Sequence, residues 1–224
     1  MRPFYLSNEG AALDVQHPDL EKVLAVLRGS NIGEIDGLCR LWISEGIPFC
    51  FRSRPMLYEI IREWVARKIG IHPKELTIIG SGKIGYSLAP VPKLGRAFGN
   101  HSDLDLAAIS SNLFDRACLE LDLFRSDLQS GKIVPDSERK RALWPEIAAD
   151  LERTRNQRGF IDTWKIPTLN RYPLAQCITQ TCWEMREKLQ ETDVKYQIKK
   201  STLRVYRDFP SFIKQLRINL RSIV

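Results

Sequence analysis

Residues 76–110 read LTIIGSGKIGYSLAPVPKLGRAFGNHSDLDLAAIS, and the fold depends on how this stretch is parsed. Two short apolar runs are joined by a polar, glycine-rich connection. The first run, Leu76 to Ile79, ends in Gly80, Ser81 and Gly82. The second opens with Ser102, Asp103, Leu104 and Asp105 and continues through Leu106, Ala107, Ala108 and Ile109. Side chains two apart on a strand share a face. Asp103 and Asp105 are therefore expected side by side, with Leu104 and Leu106 turned into a core. Adjacent carboxylates repel, so such a pair calls for a divalent cation. A Gly-Ser-Gly turn can lay backbone amides and a hydroxyl against a phosphate. A phosphate cradle beside a metal-binding pair points to nucleotide chemistry.

At Ile79-Gly80-Ser81 and Asp103-Leu104-Asp105 the chain resembles the nucleotidyltransferase superfamily typified by DNA polymerase beta, and most of all its small stand-alone bacterial members. The resemblance is sharp over about 35 residues and thin elsewhere. It implies an α+β fold with a small mixed sheet flanked by helices. It implies Asp103 and Asp105 as ligands of Mg²⁺ or Mn²⁺ and catalytic residues, with Gly80, Ser81 and Gly82 holding the triphosphate. The implied reaction moves a nucleoside monophosphate from a nucleoside triphosphate to a hydroxyl acceptor, releasing pyrophosphate. Toxin or defence systems are a common setting for such proteins. The superfamily also carries a third carboxylate on a later strand. Asp162, in the sequence Gly159-Phe160-Ile161-Asp162-Thr163-Trp164, is the candidate here, and it reads equally as a turn cap before Pro167. Ser81 and Asp103 lie 22 positions apart, a long spacing whose excess is the Pro/Gly-rich piece at residues 90–99. Lys83 is placed to meet a triphosphate, with Ser87 and Ser102 lining the same pocket; each also reads as surface or turn structure. His101 beside the pair is a ligand, a base or an exposed neighbour. Lys93 and Arg96 belong to a lid over the nucleotide or to an ordered surface loop.

Two rival readings use the same residues. Gly80-x-Gly82-x-x-Gly85 after an apolar strand fits the dinucleotide fingerprint. That fingerprint needs a long following helix, which Pro90 and Pro92 forbid, and an acidic residue at the end of its second strand rather than the start. The other rival is a nucleotide- or nucleic-acid-binding module that kept the fold and lost catalysis.

The chain has 224 residues, 43% hydrophobic and 27% charged, the balance of an ordinary globular protein. No apolar run approaches the roughly 20 residues that span a bilayer, and the opening MRPFYLSNEGAALD has no signal-peptide core, so no membrane partner and a cytoplasmic location are expected. The five cysteines, without a Cys-x-x-Cys pair, read as reduced thiols. The net charge is +7. Residues 195–224 carry eight cations against Asp208 alone, which accounts for the whole excess. Such a basic edge suits a polyanion, whether nucleic acid (RNA or tRNA) or a nucleoside triphosphate, or is a solvated face.

Hydrophobic periodicity predicts three helices before the glycine turn, the clearest over residues 56–69 with Leu57, Ile60, Ile61, Trp64, Val65 and Ile69 in its stripe. Gly70 and His72-Pro73 end it. A helix with Leu113, Ala117, Leu121, Phe124 and Leu128 follows the Asp strand. Residues 131–135 read as a loop, with a short strand at 132–134 as an alternative, then helix over 137–158 broken or started at Pro145. Leu174 to Leu189 forms another helical stripe, residues 195–207 read as strand, in one piece or as two with a break at Lys200-Ser201, and Asp208 starts a closing helix. The chain reads as one domain, 1–224, comprising a helical N-terminal segment (1–70), a nucleotidyl core (71–165) and a helical, basic C-terminal part (166–224).

Overall fold

The structure, a computed structural model, describes residues 17–29, 32–192 and 198–223. Helices α1 (Leu20–Gly29) and α2 (Ile32–Leu38) come first, and α2 runs on into a π-helical segment at Cys39–Ser44. The third helix, α3 (Pro55–Ile69), starts with proline at its first position and stops at Gly70, whose φ of 74° only glycine adopts cheaply. Strand β1 (Leu76–Ile79) leads into α4 (Ser81–Ile84), a single turn. Then come β2 (Leu104–Ile109), α5 (Ser111–Gln129), α6 (Glu138–Arg158), β3 (Phe160–Asp162), α7 (Pro173–Thr192), β4 (Ser201–Tyr206) and α8 (Phe209–Arg221). Asp208 caps α8 by accepting the Ser211 amide at 2.7 Å.

The four strands form one mixed sheet in the order β1-β2-β4-β3. β1 pairs antiparallel with β2, β2 parallel with β4, and β4 antiparallel with β3. The architecture is therefore α+β, as expected. β4 comes from the C-terminal part of the chain and lies inside the sheet, between β2 and β3.

Both faces of the sheet are covered. Leu76, Ile78, Leu104, Leu106, Ala108, Leu203 and Val205 enter one core with α3, α5 and α7. Ala107, Phe160 and Tyr206 enter a second core with α1, α2 and α8. Period two places Asp105, Thr202, Arg204 and Asp162 on this second face. Part of this face opens on a cavity, which these polar side chains line.

Several expectations are corrected. Residues 132–134 form no strand, because the amides of Lys132 and Ile133 both turn to the Asp127 carbonyl at the end of α5. Helix α6 runs unbroken through Pro145, in an exposed stretch where water can take the carbonyl that proline leaves free. Ile60, assigned to a core stripe, is 56% exposed. The strand read at 195–207 is 201–206; residues 193–197 lie outside the described residues, and at 198–200 the Lys199 amide and Lys200 carbonyl already bond to β2's leading edge. No described helix is long and apolar enough to cross a membrane.

Candidate functional site

The glycine turn explains itself residue by residue. Gly80 has φ 67° and ψ −151°, a region essentially reserved for glycine, and a Cβ there would stand 3.5 Å from Asp105 Oδ2. Gly82 lets α4 press onto β2, since its Cβ would approach Leu104 Cδ1 at 3.0 Å. Gly85 faces the Phe49 ring, 2.8 Å from where a Cβ would be. Only the first of these glycines adjoins the carboxylates. The antiparallel β1–β2 pairing and the single-turn α4 are also unlike the parallel strand–helix–strand unit on which a dinucleotide fingerprint rests.

Lys83 does not reach the cleft. Its side chain is 1% exposed, and Nζ donates to the carbonyls of Glu45 and Gly46, the second at 2.9 Å. Burial lowers its pKa to about 8. Its place is structural: it ties α4 to the loop after the π-helical segment. Gly82 is likewise buried in packing.

Of the two aspartates, Asp105 stands on β2 as the strand reading has it, and Asp103 falls one residue before the strand. Asp105 is half-buried on β2, opposite Ile79 on one side and Thr202 on the other. Its Oδ1 accepts from Thr202 Oγ1 at 2.6 Å. Burial pushes the Asp105 carboxyl above its usual range; Thr202 opposes that and the Asp103 charge adds to it. Asp103 is exposed just before the strand. Ser102 closes the preceding turn, accepting the Gly99 amide at 3.1 Å.

Asp103 and Asp105 sit where two cavities meet. One, of about 470 Å³, runs along Gly80, Ser81, Ser87, Lys93, Arg96 and Ser102. The other, of about 420 Å³, runs across the sheet face along Asp162, Trp164, Lys200, Thr202, Arg204 and Tyr206. Gly80, Leu88 and Asn219 border both. The structure thus brings together Gly80, Ser81, Ser87, Ser102, Asp103 and Asp105, and leaves Gly82 and Lys83 outside.

The connection between the glycine turn and the Asp strand is an ordered loop. Tyr86 bridges to Ala97, Ser87 exchanges backbone bonds with Gly95 and Arg96 at 2.9 Å each, and the Phe98 amide donates to Gly85 at 2.8 Å. Lys93 and Arg96 are thereby held over the first cavity as exposed cations. His101 turns a ring nitrogen to the Ala97 carbonyl at 3.1 Å, within the same loop.

Asp162 lies on β3 and opens on the second cavity, but its carboxylate is engaged. Arg204 Nε and Nη2 contact its two oxygens at 2.7 and 3.2 Å, and Lys165 Nζ stands 3.3 Å away. β4 separates it from Asp105, which pairs with Thr202 whereas Asp162 pairs with Arg204 two residues further on, a gap of ~12 Å between Cα atoms. Among the described residues no three His, Cys, Asp or Glu side chains converge as a metal-holding group. The Asp103–Asp105 pair nevertheless suits Mg²⁺ or Mn²⁺. Its donors are hard carboxylate oxygens, and Gly80 beside Asp105 Oδ2 brings no side chain against that oxygen. Mg²⁺ sites commonly use one or two carboxylates and fill the rest with phosphates and water.

The basic C-terminal residues do not form one open strip. Arg204 pairs with Asp162, Arg207 with Asp208 at 2.9 Å, and Arg217 with Asp36 at 3.1 Å, while Lys200 lines the cleft. Lys195 lies outside the described residues. Sequence reasoning missed Thr202 and the Arg204 contact to Asp162. No local signal marks either, because each depends on β4 pairing with strands 97 and 42 residues away.

No protein-family model, curated protein or solved structure matches the chain. What the cleft does has to be argued from its own chemistry.

Proposed function

We propose that the chain is a metal-dependent nucleotidyltransferase of the polymerase-beta type, moving a nucleoside monophosphate from a nucleoside triphosphate to a hydroxyl acceptor. The observation that carries this reading is the junction: Asp103 and Asp105 stand between a serine-lined, cation-rimmed cavity and a second open cavity. A transferase joining two substrates needs this arrangement, with the charge-handling groups between them.

In this reading the triphosphate occupies the first cavity. The Gly80–Ser81 backbone, the hydroxyls of Ser81 and Ser87, and the cations of Lys93 and Arg96 take its oxygens. Asp103 and Asp105 would hold Mg²⁺, which when bound neutralises phosphate charge and lowers the pKa of a hydroxyl. Thr202 fixes the Asp105 rotamer through its 2.6 Å bond. The acceptor lies in the second cavity. Its oxygen forms the new bond to the α-phosphorus as the bond to the β-phosphate oxygen breaks; pyrophosphate leaves with that electron pair and the hydroxyl proton passes to water. Catalysis is mainly positioning and charge stabilisation.

The engagement of Asp162 by Arg204 and Lys165 favours a second reading, a binding module of the same fold without transfer activity. One experiment separates the two. The protein is incubated with each α-labelled nucleoside triphosphate, Mg²⁺ or Mn²⁺, and total RNA, beside the Asp103→Ala/Asp105→Ala variant. Label transferred to RNA, protein or a small product by the wild type alone supports the enzyme. Triphosphate binding without transfer supports the module.

A further inference from the structure

The second cavity contains a feature that the transfer chemistry does not use. Trp164 is 43% exposed at its wall, in the short 3₁₀ turn Thr163–Lys165. An indole left open in a polar, charged cleft stands out, because tryptophan is usually covered. The turn is also rigidly held. Thr163 is buried and its Oγ1 donates to the Leu203 carbonyl at 3.1 Å; Asp162 before it is gripped by Arg204; the Ile166 amide closes the turn on Thr163. The backbone that carries the ring is fixed.

A cation accompanies it. Lys200 Nζ lies 4.2 Å from the Trp164 ring centroid, and Lys165 Nζ lies 5.7 Å from it. The Lys200 carbonyl accepts the Leu104 amide at 2.8 Å, which anchors this lysine to the residue between Asp103 and Asp105. Platform, cation and carboxylates thus lie at or beside the ends of neighbouring strands and line one cavity.

We propose that Trp164 and Lys200 form the acceptor subsite, and that the acceptor is nucleotide-like: a base stacks on Trp164 while its phosphate pairs with Lys200. This assignment rests on the nucleotidyl-transfer reading of the cleft. An exposed cation–π contact is weaker than a base stacked on an aromatic ring, so an incoming base displaces Lys200 from the indole and frees its ammonium for the phosphate. Two sources share this chemistry, a free nucleotide and the end of a single strand.

The test measures binding by calorimetry with AMP, UMP and short single-stranded RNA oligomers, in parallel with binding of a nonhydrolysable nucleoside triphosphate analogue and Mg²⁺. Wild type, Trp164→Ala, Trp164→Phe and Lys200→Ala are compared. Trp164→Ala is expected to weaken monophosphate or oligomer binding about ten- to a hundredfold, with Trp164→Phe restoring most of it and analogue binding unchanged. Tighter binding of oligomers than of monophosphates identifies a strand end, and the reverse a free nucleotide; both support the subsite. Undiminished acceptor binding in Trp164→Ala overturns the proposal, as does equal loss of the triphosphate analogue. Trp164-dependent binding in a protein with no transfer activity keeps the subsite and sinks the transferase reading instead.

Discussion

Arg204 grips Asp162 through two guanidinium nitrogens, at 2.7 and 3.2 Å, across the β4–β3 pair. The contact links the two strands that wall the second cavity. It also decides what the third acidic residue of the cleft can do. A carboxylate gripped by a guanidinium orients its partner and the adjoining turn more readily than it accepts a proton.

Breaking that pair should be costly. Asp162 is buried, and Arg204→Ala leaves its charge with Lys165 alone. Loss of about 3 kcal/mol in unfolding free energy is expected for Arg204→Ala. Chemical denaturation of both single variants and the double variant checks it, and additive losses would show that the pair is not coupled.

Asp103 and Asp105 should respond to cations together. Mg²⁺ or Mn²⁺ is expected to raise the Tm of the wild type, and to leave Asp103→Asn and Asp105→Asn unmoved, because binding only to the folded state stabilises it. Transfer activity in either variant should fall by about two orders of magnitude or more. Full activity in Asp105→Asn would remove the carboxylate pair from the mechanism.

Lys83 predicts a pH dependence of stability. Its pKa is lowered to about 8 in the fold, from 10.5 in an unfolded chain, by burial. Between those values the unfolded chain binds the extra proton, so stability rises as pH rises from 8 towards 10.5. Below 8 both states are charged and the full penalty of about 3 kcal/mol is present. The part of the rise belonging to this residue should vanish in Lys83→Met. Parallel pH–stability curves for wild type and variant would show that the amine is not the source.

Gly85→Ala tests the tightness of the turn. Alanine there meets φ 99° and the Phe49 ring at 2.8 Å. A loss of about 2 kcal/mol is expected, measured by thermal or chemical unfolding. Gly131→Ala is the control, since its φ of 69° carries strain without any neighbour within 4 Å. Equal losses would mean that the packing on Phe49 adds nothing.

Much of this protein was legible in its residues. The alternation of Asp103, Leu104, Asp105 and Leu106 determined which side chains enter the core, because a strand repeats every two residues. Proline and glycine determined where helices stop, as at Gly70 and after α4, because φ and the missing amide act locally. Helical stripes such as Leu174, Ile178, Cys182, Met185 and Leu189 located α7, all five being buried. What the tertiary structure decided depends on partners distant in sequence. It carried Lys83 away from the cleft to the carbonyls of Glu45 and Gly46, set Thr202 against Asp105, and engaged Asp162 with Arg204. A side chain's neighbours across a sheet follow from strand order and register, and neither is encoded in a local pattern; β4, from the last quarter of the chain, entered the sheet beside β2 and wrote the chemistry of the second cavity.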